Sequence, residues 1–334
     1  MTQADLTCDL HIIGGGPAGY TAAIYAARAG LKTVVSTPAP LSGMMAMAPT
    51  VGNWPSQVEP VPGRDILERI REQALKYGAE IVLESVAGVN FTVDRGLQVF
   101  GGAQMHVARA VILSPGSSYR KLGVPGEDEF RNAGAGVSYC GTCDAPFFRE
   151  KAVVSVGGGN TALEETLHLA KYASKVTLIH RRDEFRAEKV LVEELLAKAN
   201  EPNSNLAIRY DTVATAIEGE GKVQSIQLRN VKTNAEESLP CDGVFIFVGM
   251  VPNTDFLKGF VELTDVGFIK CDCAYLRTSV PGVFAAGDCR IGAAMQLVTA
   301  VADGVNAAMQ LKQYFRDPAW WNMPVNDMLR PGGW

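Results

Sequence analysis

Leu10-His11-Ile12-Ile13-Gly14-Gly15-Gly16-Pro17-Ala18-Gly19 decides the fold. A short apolar strand runs into a glycine turn, and Tyr20 to Arg28 then has helical composition. Strand, glycine turn and helix together form a dinucleotide-binding fingerprint. Gly14 serves the tight turn, Gly16 lets a pyrophosphate approach the backbone, and Gly19 lets the helix pack against the strand. The unpaired N–H groups and positive dipole end of the helix then face the phosphates. A plain structural glycine turn is the weaker reading.

A ribose-binding acid is expected about 20 residues further on, at the end of the second strand. That strand is Thr33 to Val35, and Ser36 stands at the position, a neutral and weaker ribose partner. Leu41 to Pro55 follows with Met44, Met45 and Met47 and shows neither helical nor strand period. An apolar irregular segment of this kind suits a cofactor lining, and thioether sulfur packs well on an aromatic ring such as a flavin. Asp65 to Tyr77 reads as an amphipathic helix. Ile81 to Leu113 alternates like hairpin strands, with Gly101-Gly102 as a turn.

The fingerprint recurs. Ala152 to Val156 is a buried strand, Gly157-Gly158-Gly159-Asn160-Thr161-Ala162 the turn, and Leu163 to Tyr172 the helix. Two fingerprints imply two dinucleotides. The second strand here, Val176 to Ile179, ends at His180-Arg181-Arg182, with Arg186 close behind. Guanidiniums at this position bind a 2′-phosphate bidentately where a carboxylate would repel it, so the site is expected to take NADP rather than NAD.

Gly116 to Pro125 and Gly249 to Asn253 read as linkers, after which strand-like Phe268-Ile269 and Val283 to Ala286, and a helix from Gln296 to Leu311, complete the first domain. The expected class is therefore α/β: two Rossmann-like three-layer dinucleotide-binding domains, one inserted in the other. Residues 1–117 and 249–334 form the outer domain and 118–248 the inner one. The tail from Phe315, with Trp320, Trp321 and Trp334, has no helical pattern.

Between the fingerprints lies Cys140-Gly141-Thr142-Cys143-Asp144. Two thiols three positions apart are a metal half-site or a redox dithiol. Zinc would want a second half-site, and Cys271 and Cys273 with four His in the chain do not make a good one. A redox pair is favoured, with Asp144 placed as proton donor and acceptor. Cys8, Cys241, Cys271, Cys273 and Cys289 share no framework spacing and are read as buried or idle thiols.

The 334 residues suit two domains, and a net charge of -5 supplies no basic excess for nucleic acid. No apolar run reaches the roughly 18 residues of a membrane span. The first residues lack the basic start and apolar core of a signal peptide, so a cytoplasmic protein is expected.

The assembled stretches GGGPAGYTAAIYAARAG, GNWP, CGTCD, GGGNTALEE, HRRDEFRAEK and GVFAAGD resemble the low-molecular-weight thioredoxin reductases of bacteria and plants. The likeness extends to the Gln296–Thr299 region. It implies the class II pyridine nucleotide-disulfide oxidoreductase architecture. It implies FAD in the outer domain at Gly14, Gly16, Pro17, Ala18, Gly19, Ser36, Gly43, Asn53, Asp288 and Gln296. It implies NADP(H) in the inner domain at Gly157, Gly159, Asn160, Thr161, His180, Arg181, Arg182 and Arg186. By the same resemblance Cys143 faces the flavin, Cys140 attacks the partner disulfide and Asp144 is the acid–base residue. Thioredoxin or another small dithiol protein is the implied partner, and the implied assembly is a homodimer.

The chain departs from the family at Met44 to Ala48, at Ser114-Pro115-Gly116-Ser117, at Met295 and in its aromatic tail. These departures keep a second reading open. In it, a related flavoprotein oxidises dithiols or uses another donor, with the tail covering the flavin against nicotinamide. A third, a non-catalytic NADP(H)-binding module, leaves the intact thiol pair without a use.

Overall fold

A computed structural model describes residues 6–48, 50–102 and 104–325. In chain order the first part contains β1 (Leu6–Ile13), α1 (Pro17–Arg28), β2 (Thr33–Thr37), α2 (Gly43–Ala46), α3 (Gly63–Lys76), β3 (Glu80–Leu83), β4 (Gly88–Thr92), β5 (Gly96–Phe100) and β6 (Met105–Leu113). After β7 (Ser117–Tyr119) come α4 (Glu127–Asn132), β8 (Val137–Ser138), α5 (Gly141–Asp144), β9 (Ala152–Gly157), α6 (Asn160–Leu169), β10 (Lys175–Ile179), α7 (Lys189–Ala199) and β11 (Leu206–Arg209). Next are β12 (Thr212–Glu218), β13 (Ser225–Asn230), β14 (Glu236–Pro240), β15 (Gly243–Phe247) and β16 (Met250–Pro252). The chain then adds β17 (Val283–Ala285) and α8 (Leu297–Arg316).

The chain divides into two compact units. One holds the described residues up to Ala48, then Trp54–Ser118 and the described residues from Val251 onward; the other holds Tyr119–Met250 and the short segment ending at Asn53. The crossing strands β7 and β16 pair with each other.

The first unit is built on the sheet β3-β2-β1-β6-β5-β4. One edge of β6 pairs in parallel with β1, and its other edge is shared by β5, antiparallel, and β17, parallel. Period-two alternation sends Leu10 and Ile12 of β1 to one face, where they join Tyr20, Ala22 and Ala23 of α1 and Ala307 and Leu311 of α8. Ile13, Val111 and Leu113 go to the other face, with Val89, Leu97 and Leu257. The small residues of α1 have a purpose: a Cβ at Gly304 of α8 would strike the carbonyl of Ala18, so the two helices cross backbone to backbone.

The second unit has an all-parallel sheet, β11-β10-β9-β15-β8. One of its faces buries Val153, Leu178 and Phe245 under Leu163 and Leu169 of α6 and Leu195 of α7. The other buries Val154, Val156 and Ile246 under Ile226, Leu228 and Leu239 of the antiparallel sheet β12-β13-β14. Both units are therefore three-layered α/β structures of the expected class.

Several local expectations shift. The Leu41 to Pro55 segment contains the one-turn helix α2, with Met45 and Ala46 packed on the first core. The second fingerprint helix starts at Asn160, because Gly159 is its N-cap, and Gln296 caps α8 rather than lying within it. Phe268-Ile269 forms no strand; Ile269 makes only isolated bridges to Leu263 and Arg290. The described part of the tail is largely helical, and its two indoles are buried. α8 continues to Arg316, Pro318–Asn322 is a 3-10 turn capped by Asp317, and Trp320 and Trp321 join the first core. Trp334 lies outside the described residues.

Candidate redox site

Cys140 and Cys143 are joined by a disulfide, with Cα atoms 5.3 Å apart. The single-turn helix α5 makes this possible, since three positions on a helical turn bring side chains to one face. Cys140 is its N-cap, and Sγ of Cys140 accepts the backbone N–H of Cys143 at 3.2 Å. A thiolate at Cys140 would keep that donor, which favours it over Cys143 as the ionised nucleophile.

Asp144 is mostly buried, and desolvation raises its carboxyl pKa against the opposing influence of Ser138 and Arg131. The Ser138 hydroxyl donates to Asp144 Oδ2 at 2.6 Å and accepts the N–H of Cys140 at 3.1 Å. On the other side of the turn, Glu165 of α6 accepts both the N–H of Thr142, at 2.6 Å, and its hydroxyl, at 2.9 Å. Neither Ser138 nor Glu165 was visible as a site residue in the sequence. Each reaches the cysteines through tertiary placement, though Ser138 lies two positions before Cys140. The other five cysteines are free; burial pushes Cys8, Cys241, Cys271 and Cys289 up to about 12, while Cys273 is exposed. Among the described residues, no group of three or more His, Cys, Asp or Glu is placed to hold a metal ion.

In the first unit the glycine loop has the shape its sequence implies. A Cβ on Gly14 would run into the carbonyl of Ser114, and one on Gly19 into that of Gly14; at Gly16 nothing lies within 4 Å. Two glycines are thus closed by protein, and the third is open for an approaching group. Pro17 is the first residue of α1, and Ala18 is buried behind it. Gly287, at φ +79°, packs against Ala18 and brings the Gly287-Asp288 turn to the same end of α1. Asp303 of α8 fixes that turn. It accepts the N–H of Gly287 at 2.9 Å and takes the Arg290 guanidinium bidentately at 2.7 and 2.8 Å. Asp288 Oδ1 is buried with no partner among the described residues, and its carboxyl is raised to about 6, first by burial and then by Asp303, against Arg290.

Ser36 corrects an expectation. Its hydroxyl is spent in a buried network, donating to Glu84 at 2.6 Å and meeting His11 Nε2 at 2.9 Å, with His106 on the same carboxylate at 2.7 Å. Successive strand residues face opposite ways, so Thr37, not Ser36, lies behind the loop; it is fully buried and its hydroxyl donates to the Ala39 carbonyl at 3.0 Å, so it supports the loop. Gly43 is exposed at the start of α2, and Gln296 caps α8. Asn53 is exposed and belongs to the segment grouped with the second unit.

The second loop repeats the logic. A Cβ on Gly157 would meet Ala162 and Phe247, while the space at Gly159 is open. Thr161 is exposed on the first turn of α6. The Asn160 amide is engaged with Glu188, giving at 3.0 Å and receiving at 2.9 Å, so its backbone N–H is what remains for a phosphate. Arg181, Arg182 and Arg186 are exposed, and the N–H of Arg186 donates to Gly158 at 2.9 Å, which ties the arginine segment to the loop. His180 again corrects the sequence reading. It is buried under Gly158, with its ring nitrogens 2.9 Å from the carbonyls of Gly157 and Glu184. It shapes the loop rather than meeting a ligand. Each unit thus offers an open glycine cradle, and the orphaned Asp288 oxygen suits a hydroxyl-rich ligand such as a dinucleotide.

Comparison with known proteins agrees with this geometry. Residues 8–304 match the family described as pyridine nucleotide-disulphide oxidoreductase. A thioredoxin reductase of Mycolicibacterium smegmatis is 42% identical over 317 residues, 95% of this chain and 99% of its own length. One from Treponema pallidum is 41% identical, over 92% and 96%. The solved thioredoxin reductase of Giardia duodenalis superposes with a TM-score of 0.86 at 36% identity, covering 93% of this chain and 100% of its own. The chain belongs to the pyridine nucleotide-disulphide oxidoreductase family and, within it, to the group of the low-molecular-weight thioredoxin reductases.

Proposed function

We propose that the protein is a flavin-dependent disulfide reductase that carries electrons from NADPH through FAD and Cys140/Cys143 to the disulfide of thioredoxin or a related small protein. The observation that carries this reading is the disulfide capping α5, with Cys143 N–H on Cys140 Sγ and a raised Asp144 carboxyl behind it. FAD is assigned to the first unit, at Gly14, Gly16, Gly19 and Asp288; Pro17 and Ala18 shape the helix start, while Gly43, Asn53 and Gln296 complete the assignment by family resemblance. NADP(H) is assigned to the second, at Gly157, Gly159, Asn160 and Thr161, with Arg181, Arg182 and Arg186 on the 2′-phosphate. When bound, the flavin supplies two-electron transfer between the nicotinamide and the disulfide.

In the exchange step the Cys140 thiolate attacks one sulfur of the partner disulfide, and the other partner sulfur leaves as a thiolate and takes a proton. Cys143 then attacks the Cys140 sulfur of the mixed disulfide. The Cys140–Cys143 bond re-forms and the partner departs as a dithiol, two electrons richer. Burial raises the Asp144 carboxyl pKa, so it takes up a proton more readily than a free carboxyl and can pass it to a departing thiolate, with Ser138 fixing the carboxyl. A homodimer in the cytoplasm completes the proposal.

Reverse flow behind a shielding tail is not favoured, because Trp320 and Trp321 are buried in the first unit's own core. Anaerobic mixing of the flavin-loaded, oxidised protein with NADPH tests the proposal. Rapid loss of visible flavin absorbance, followed by reduction of added thioredoxin, is expected, and Cys143→Ser should trap the partner on Cys140. A protein that takes up no flavin, or a flavin that NADPH does not bleach, would overturn it.

A further inference from the structure

Glu165 stands apart from the dinucleotide loops and from Asp144, yet it holds the residue between the two cysteines. Its two oxygens take the N–H and the hydroxyl of Thr142, a two-point grip on α5, which is only one turn long. A Cβ at Gly141 would collide with the same carboxylate, so Glu165 covers both intervening residues of the pair. A single turn has almost no helical stability of its own. What keeps Cys140 and Cys143 at disulfide distance must come largely from outside the turn, and this grip is an outside anchor on its two middle residues.

We infer that Glu165 is the positioning residue that sets the redox poise of Cys140/Cys143. The inference rests on the reading of that pair as the redox centre. Two effects act in one direction. The grip holds the dithiol close to its disulfide geometry, which favours the oxidised form. The carboxylate charge sits on Thr142, the residue adjoining Cys143, and disfavours a thiolate there, which also disfavours the reduced form. Removing either effect should make the pair easier to reduce.

The test is an equilibrium between the flavin-loaded protein and a glutathione buffer at fixed pH. Two glutathione thiols reduce the Cys140–Cys143 bond and leave as glutathione disulfide, and the fraction of protein dithiol is read by alkylation and mass. No nicotinamide or thioredoxin is needed, so the result stands whether or not the proposed electron donor is correct. Glu165→Gln, which keeps an acceptor and loses the charge, should shift the equilibrium constant toward dithiol by about threefold. Glu165→Ala, which loses both, should shift it about tenfold, near 30 mV. Thr142→Val removes only the hydroxyl contact and should give a smaller shift of the same sign. Glu164→Gln, on the exposed neighbour, should leave the constant unchanged. Circular dichroism and thermal melts identify any variant that fails to fold, and Thr142→Val and Glu165→Gln then carry the test. An unchanged constant in folded Glu165→Ala or Glu165→Gln, or a shift toward the disulfide, would overturn the inference.

Discussion

The Ser138 hydroxyl lies 2.6 Å from Asp144 Oδ2, inside a site where burial raises the Asp144 carboxyl pKa. The protein therefore keeps at its redox turn a group that would ionise more readily in water. A folded-state pKa above the unfolded value gives stability that is fully present below the unfolded pKa and lost as pH rises through the folded one. Asp144→Asn, which keeps an acceptor for Ser138, should raise the melting temperature at neutral pH. The gain should vanish as pH falls below the ordinary carboxylate range. The same variant should slow thioredoxin reduction by roughly tenfold to a hundredfold, the usual worth of a positioned acid. Thermal melts across pH, paired with turnover, measure both halves. A variant that is both less stable at neutral pH and fully active would contradict the role.

Asp288 invites a parallel measurement with a larger expected effect. Its carboxyl is raised from 3.8 to about 6, with burial first among the causes, and Oδ1 has no partner among the described residues. In the flavin-free protein at pH 7 the ionised group then costs about 3 kcal/mol. Asp288→Asn should recover up to that amount above pH 6, and the gain should fade as pH drops through 6 toward 4. Flavin retention should move the opposite way, because the amide is a weaker acceptor than a carboxylate. Denaturant unfolding without flavin and flavin release on dialysis separate the two effects.

The glycine loops could be read from sequence because backbone geometry leaves few substitutes at Gly14, Gly19 and Gly157. The thiol pair was legible for a similar reason, since spacing alone puts two cysteines on one turn. The inward turn of Ser36 is not legible, because one residue of strand register decides which face a side chain takes, and a short strand end does not reveal it. The structural role of His180 is not legible either, because a histidine in a cationic cluster has the pattern of a ligand group, and only the fold brings its ring to two carbonyls. Asp303, Arg290, Glu84 and Glu165 carried no local signal. Asp303 and Arg290 are brought together by the return of α8 along α1, and Glu165 meets Thr142 across 23 positions of chain.

Arg181, Arg182 and Arg186 are exposed and carry the proposed choice of nucleotide. Replacing Arg181 and Arg182 together with Ala removes charge-assisted bonds that at this exposed surface are worth about 1.4–2.7 kcal/mol in sum. The KM for NADPH should rise by a factor of roughly ten to a hundred, with kcat little changed, and the KM for NADH should hardly move. Added salt should weaken NADPH binding to the wild type more than to the variant. An equal loss with both nucleotides would mean that the arginines support the loop instead of reading the 2′-phosphate.

Arg277 governs the fate of the tail. Its guanidinium is buried: Nε donates to Asp272 at 2.8 Å, and Nη1 reaches the carbonyls of Trp320, Trp321 and Met323 at 3.2, 2.8 and 3.0 Å. The same cation lies over the rings of Tyr275 and Trp320. These bonds add a partner to the Trp320 carbonyl, which also accepts the Met323 N–H, and reach the Trp321 and Met323 carbonyls, and they hold both indoles in the core, with Trp321 beside Phe284 and Tyr314. Arg277→Leu takes the guanidinium from Asp272, which keeps the N–H groups of Tyr275 and Arg277, and from the carbonyls of Trp321 and Met323, so it should destabilise the protein by about 3 kcal/mol. Arg277→Lys should recover only part, because a point charge cannot replace the planar fork. Trp321→Ala should cost a similar amount, about 3–5 kcal/mol, by opening a cavity. Below their lowered melting temperatures all three should leave the rate of flavin bleaching by NADPH as in the wild type. A tail that shielded the flavin would behave otherwise: Trp321→Ala would speed bleaching many-fold at little cost in stability, and that result would return the strap to the role of a lid.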